Sequence, residues 1–251
     1  MVRSWRERRR VSQLVLAAEA QVSQRHLSFI ESGRSSPSRE MVTRLANSLD
    51  VPLRERNALL LAAGYAPVHR DRPLDDPALE HARAGVERLL TLQEPFPALA
   101  LDRNWNVVAA NAAVPILLAG VDPELLRPPQ NAIRLSLHPR GLAPLIVNFG
   151  EWRAHLIERL RRQLRLTGDA AIAALIAEAE AYPAKAAGPA RHDDVAVLLK
   201  LRSPAGVLSF LSTVTVFGTA IDITLAELSV ESFYPADDAT RQALRAFPGG
   251  A

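Results

Sequence analysis

The chain has 251 residues, 48% of them apolar and 23% charged, which fits a globular protein of one or two domains and excludes a chain too polar to bury a core. No uninterrupted apolar run approaches the roughly 18 residues of a membrane span, and there is no Cys, so disulfides, thiol catalysis, iron–sulfur clusters and most structural zinc sites are excluded. The net charge of +3 conceals an uneven distribution, because residues 1–70 carry 12 Arg against 6 acidic residues, and such an Arg-rich patch suits phosphate and guanine.

The first twenty residues do not read as a secretion signal, since Ser12, Gln13 and Glu19 interrupt the apolar stretch. Without such a signal and without Cys, the expected compartment is the cytoplasm. Ser12 predicts the cap of a helix through Ala20, and a second helix runs from Ser23 to Gly33, a natural left-handed stop. Ser36-Pro37, with Glu40 in the first turn, predicts the opening of a third helix whose Val42, Leu45, Ala46 and Leu49 form one apolar stripe. A last short helix spans Leu53 to Ala63 and stops at Gly64. Prolines 67, 73 and 77 in an otherwise polar stretch predict a linker over 65–77, between a helical domain at 1–64 and a second domain at 78–251.

In the second domain, Pro97 to Leu101 and Trp105 to Ala110 flank Asp102-Arg103-Asn104 and predict a β-hairpin. Helices follow from Glu151 to Leu166 and from Ala170 to Tyr182. Three strands are predicted after them: Val195 to Leu201, Val207 to Phe217, and Ile221 to Phe233 with a bulge near Ala226. In the middle strand Leu208, Phe210, Val214 and Val216 share one side, as in a sheet with one covered face.

Residues 13–33 carry the functional signal. Two helices that cross closely want a small residue at the crossing (Ala17), apolar contacts (Leu16, Ala20, Val22, Leu27, Ile30) and an open turn between them, the helix-turn-helix pattern. Its second helix enters the major groove, N-terminal residues on base edges. Here that places Gln24, Arg25 and His26 on bases, Ser28 and Phe29 further along, and Gln13, Ser23 and Arg34 on phosphates. Phe29 is equally suited to packing inward. One such module reads only a few base pairs, so a homodimer on an inverted-repeat operator is expected.

Ser23-Gln-Arg-His-Leu-Ser-Phe-Ile-Glu-Ser-Gly-Arg-Ser-Ser-Pro-Ser38 resembles the recognition segment of the λ-repressor-like, XRE-type regulators. Gln21 stands at the turn position that family usually fills with Gly, at a cost of about 1 kcal/mol if the residue is left-handed. Leu53 to Pro67, Pro97 to Asn111, Asn131 to Pro139 and Phe217 to Leu228 are similar to the MmyB-like group of regulators. That resemblance implies an all-α DNA-binding domain followed by an α+β, PAS-like ligand-binding domain with an antiparallel sheet, and fatty acids or similar lipophilic molecules as ligands. Residues assigned to the ligand are Arg134 and His138, cations in an apolar segment that suit a carboxylate but equally suit exposure or pairing with one of the domain's many acids, with the aromatic Trp105, Trp152 and Phe210, which equally suit filling the core. The alternative is a C-terminal domain that only dimerises.

Glu151, His155 and Glu158 share a helix face, but neighbouring arginines offer plain ion pairs, and His192-Asp193-Asp194 is no stronger, so no metal or other cofactor is expected. No nucleophile elbow, Walker loop or dinucleotide fingerprint is present in the sequence, and no enzymatic activity is expected.

Overall fold

Ser12, Ser23 and Ser38 stand in extended backbone, and each side chain accepts a hydrogen bond from the amide three residues on, at 3.1, 3.1 and 3.2 Å. These caps satisfy amides that have no partner within the first helical turn. They open α2 (Gln13–Glu19), α3 (Gln24–Glu31) and α4 (Arg39–Ser48), with α1 (Val2–Arg8) before them and α5 (Leu53–Ala62) after. The third cap is Ser38, not the expected Ser36, because the amide in need of a partner belongs to Met41. This computed structural model describes residues 1–183 and 196–246. Lys185, His192, Asp193, Asp194 and Val195 lie outside them.

The described chain divides into two units, one made of Met1–Arg72 with Arg165–Gly168 and Thr219–Ala226, the other of the remainder. The core of the first unit holds Leu16, Leu27, Leu45 and Leu49, all fully buried, around Trp5. The chain turns with Gln21 at φ 54°, Gly33 at 76° and Gly64 at 84°. The expected linker is largely part of this unit. Tyr65 donates its hydroxyl proton to the Pro37 carbonyl, Arg39 donates to Ala66, and the Asn57 side-chain oxygen accepts from the amides of Val68 and His69 at 3.0 and 3.1 Å. A polar, proline-rich composition signals the lack of a helix or strand, but side chains elsewhere supply the backbone partners, and the boundary falls at Arg72/Pro73.

The second unit contains α6 (Glu80–Leu92), β1 (Ala98–Leu101), β2 (Val107–Ala110), α7 (Ala132–Leu137), α8 (Phe149–Thr167) as far as Leu164, and α9 (Ala170–Ala181). β3 (Leu199–Ser203) and β4 (Gly206–Val216) follow. Between β4 and β5 (Ser229–Pro235) lies a short helix, α10 (Ile223–Ala226), and α11 (Asp238–Ala246) closes the described chain. The strand expected over Ile221 to Phe233 is therefore half helix: the Asp222 side chain accepts from the Thr224 amide at 3.0 Å and starts a helical turn where a bulge was expected. α10 belongs to the first unit, where the Ile223 amide donates to the Arg70 carbonyl and Arg72 pairs with Asp222 at 3.0 Å.

The sheet is fully antiparallel with the order β2-β1-β5-β4-β3, so β5 is its central strand. Glu231 on β5 lies opposite Leu99 of β1 and Val214 of β4, and Leu99 lies opposite Ala110 of β2. The four residues thus form one row across one face. On that face the sheet shares a single core with Trp152, Leu156 and Leu160 of α8 and Ile133, Leu135 and Leu137 of α7. β4 buries Leu208 and Phe210, whereas Val214 and Val216 on the same side are exposed, so the cover ends midway along the strand.

Candidate DNA interface and ligand cavity

The sequence brings α2 and α3 together through Leu16, Ala17, Ala20 and Leu27, and a buried carboxylate on α3 ties that helix to both α1 and α2. Arg6 of α1 meets Glu31 of α3 with Nε at 2.7 Å and Nη2 at 3.0 Å, and Gln13 of α2 donates to the same carboxylate at 2.7 Å. The Glu31 side chain is 3% exposed. Burial alone would raise its carboxyl, but the hydrogen bonds from Arg6 and Gln13 and the Arg6 charge outweigh it and hold the group below the usual carboxylate range. The sequence reading missed Glu31; its signal is an acid beside Ile30 and Leu27 on the inward face of α3.

Of the expected DNA residues, Ser23 caps α3, and Gln24, Arg25 and His26 occupy its first turn. The side chains of Gln24, Arg25 and Arg34 make no hydrogen bond among the described residues, and all three are exposed. The Arg25 guanidinium lies 5.5 Å over the ring of Phe29, which is half-buried, so Phe29 serves as a platform for Arg25 one turn ahead of it. Ser28 is half-buried on the same helix. Gln13 still stands at the start of α2, but its amide is engaged by Glu31.

The second unit encloses an apolar cavity of about 80 Å³ between the sheet face, α7 and α8. Leu99, Val107, Ala110, Leu199 and Phe233 form its sheet wall, and Ile133, Leu135, Trp152 and Leu156 its helical wall. Gly141 helps to seat α7: a Cβ there would stand 2.4 Å from the Leu135 carbonyl, which instead accepts from the Leu142 amide at 2.8 Å. Among the described residues three polar side chains reach the lining, Gln130, Ser136 and Glu231. Ser136 accepts from the Trp152 indole at 2.8 Å, and Gln130 donates to the Leu126 carbonyl at 2.6 Å. Glu231, 4% exposed, receives one hydrogen bond among the described residues, from Arg159 at 2.8 Å. Arg159 in turn lies 4.6 Å over the Trp105 ring.

The family model described as Helix-turn-helix matches residues 2–56, and that of the MmyB-like transcription regulator ligand binding domain matches residues 82–247. The chain belongs to the MmyB-like transcription regulators. It is a DNA-binding transcription regulator with a ligand-sensing domain. No curated protein matches it.

In this MmyB-like regulator the expected ligand residues divide. Trp105 and Trp152 line the cavity; Arg134, His138 and Phe210 are not among its lining residues. Arg134 forms a two-bond pair with Glu178 at 2.8 and 2.9 Å, and that pairing holds the Glu178 carboxyl below the usual range. His138 packs edge-on against Tyr182 at 5.1 Å, and Phe210 meets Phe233 at 6.3 Å in the core. Arg134 thus takes the other course open to it in the sequence, pairing with an acid of the same domain, here Glu178 on α9, 44 residues away. Glu231, Ser136 and Gln130 were missed; the one legible trace was an acid between Val230 and Phe233 in a strand that also carries Ser229 and Ser232. His155 stacks on Trp152 at 5.5 Å, and burial, then the Arg159 charge, pushes its imidazole down.

A second, larger groove of about 720 Å³ is lined by Ile116, Leu145, Leu201, Leu208 and Ala243, with Arg202 and Ser203 as its polar residues. No helix among the described residues is long and apolar enough to cross a membrane.

Proposed function

We propose that the protein is a cytoplasmic homodimer that binds an inverted-repeat operator in double-stranded DNA and alters its affinity when a lipophilic molecule enters the cavity of the second unit. The observation that carries the DNA half is the first turn of α3, where Gln24 and Arg25 are exposed and without side-chain hydrogen bonds among the described residues, on a helix tied to α1 and α2 by Arg6, Gln13 and Glu31. Arg25, Gln24, His26 and Ser28 read bases in this account, while Ser23, Gln13 and Arg34 hold phosphates. The ligand half is supported by an apolar cavity with few polar groups, the usual composition of a small-molecule site. Trp105 and Trp152 contribute walls to it, and the strand order supports reading this unit as a PAS-like sensor core.

A fatty acid is the ligand class that the resemblance implies. The lining supports a lipophilic tail and supplies Glu231 where a carboxylate anchor was expected. Selection of binding sites from randomised duplex DNA tests the operator proposal: recovered sequences should be inverted repeats with half-sites about one helical turn, 34 Å, apart, bound by two chains in sedimentation. Recovery of single half-sites bound by one chain would overturn it.

A further inference from the structure

Glu231 is a costly residue where it stands. It occupies the central strand of the sheet, opposite Leu99 and Val214, and is buried under α8. An ion pair in such a place stabilises little relative to an apolar residue, because the desolvation of both charges offsets their attraction. Arg159 engages only one carboxylate oxygen, and the other has no hydrogen-bond partner among the described residues, although the side chain lines the cavity. The same pattern holds at the two neighbouring polar groups. The Gln130 amide donates to Leu126, and its oxygen accepts from no described residue; Ser136 accepts from Trp152. The cavity therefore offers acceptor oxygens on Glu231 and Gln130 and a single hydroxyl on Ser136.

Arg159 is not on the cavity wall; it lines two other depressions, beside Trp105 and beside His155. A ligand head in the cavity thus meets the carboxylate before the guanidinium. We propose that the cavity selects a lipophilic molecule whose polar end donates hydrogen bonds, a hydroxyl or an amine, and that Glu231 rejects carboxylates. This rests on the reading of the cavity as the ligand site. A hydroxyl or ammonium gives the free Glu231 oxygen a charge-assisted hydrogen bond, whereas a carboxylate would set two like charges side by side in a low-dielectric space.

Calorimetric titration of the full, delipidated chain with hexyl, octyl and decyl amines, alcohols and carboxylates tests the inference. Octanol and octylamine should bind at least about tenfold more tightly than octanoate, the step expected for one charge-assisted hydrogen bond. Glu231→Gln should abolish that discrimination by admitting octanoate, since an amide both donates and accepts. Ser136→Ala should weaken the alcohol and keep the preference over octanoate, a check that holds even if Glu231→Gln folds poorly. Tightest binding by octanoate would overturn the head-group assignment while leaving a lipophilic site. If that binding were lost in Arg202→Ala and kept in Glu231→Gln, the site would be the groove. No binding by any probe would overturn the ligand cavity itself.

Discussion

Arg25 and Arg34 carry the same charge and differ in where the fold puts them. Arg25 sits in the first turn of α3 against Phe29, and Arg34 just past the α3 stop at Gly33. Arg25→Ala should cost about 1 to 3 kcal/mol on the best operator and relax one base position per half-site, whereas Arg34→Ala should weaken all DNA alike and flatten the salt dependence. Affinities on operator and random duplex across a salt series check this; an unchanged operator-to-random ratio in Arg25→Ala would contradict the assignment. His155 gives a second test. Its folded-state imidazole is pushed down by burial and then by the Arg159 charge, while Glu231 and Glu151 oppose the shift. A group depressed on folding stabilises fully above its unfolded value of about 6.5 and loses that contribution as the pH falls below it. Urea midpoints should therefore drop between about pH 7 and pH 5 in the parent and drop less in His155→Gln. The capping serines Ser12 and Ser23 were legible in the sequence because a cap and its amide are three residues apart. The partners of Arg134 and Glu231 were not, being set by tertiary pairing 44 and 72 residues away.

Among the elements, the helices of the first unit follow from local rules and the middle of the second unit does not. Turn residues, caps and the apolar stripe of α4 act within a few positions, and they predicted α2 to α5 with ends displaced by a residue or two. α6, α7 and α11 were missed. The run over Ile221 to Phe233 was read as one strand, because β-branched residues favour extension until Asp222 caps the short turn of α10. Gln21 is left-handed, at φ 54°, the condition on which the expected cost rests, so Gln21→Gly should stabilise the unit by up to about 1 kcal/mol, visible as a higher denaturation midpoint. Arg6→Met removes the cation that joins α1 to α3 and leaves the Glu31 carboxylate buried. A loss of about 3 to 5 kcal/mol is expected, and chemical denaturation of the double variant Arg6→Met/Glu31→Gln should recover part of it. If the single variant were as stable as the parent, the buried pair would not be what holds α1 to α3.

For the whole molecule, the account requires that two occupancies influence each other. A ligand shifts an equilibrium only by its unequal affinity for two states, so a tenfold change in operator affinity demands about 1.4 kcal/mol of coupling, and DNA must shift ligand affinity by the same factor. The family match names both activities on one chain, a helix-turn-helix at residues 2–56 and a ligand-binding domain at residues 82–247. The sequence conveyed that pairing through motif and resemblance, but the polar end of the cavity became visible only when β5 was placed at the centre of the sheet beneath α8. The most direct measurement is operator affinity of the delipidated protein with and without saturating octanol, paired with octanol affinity with and without operator. The account predicts equal and reciprocal shifts of several-fold or more, both lost in a variant whose cavity is filled, such as Ala110→Phe. Octanol that binds in the cavity yet leaves operator affinity unchanged would contradict it.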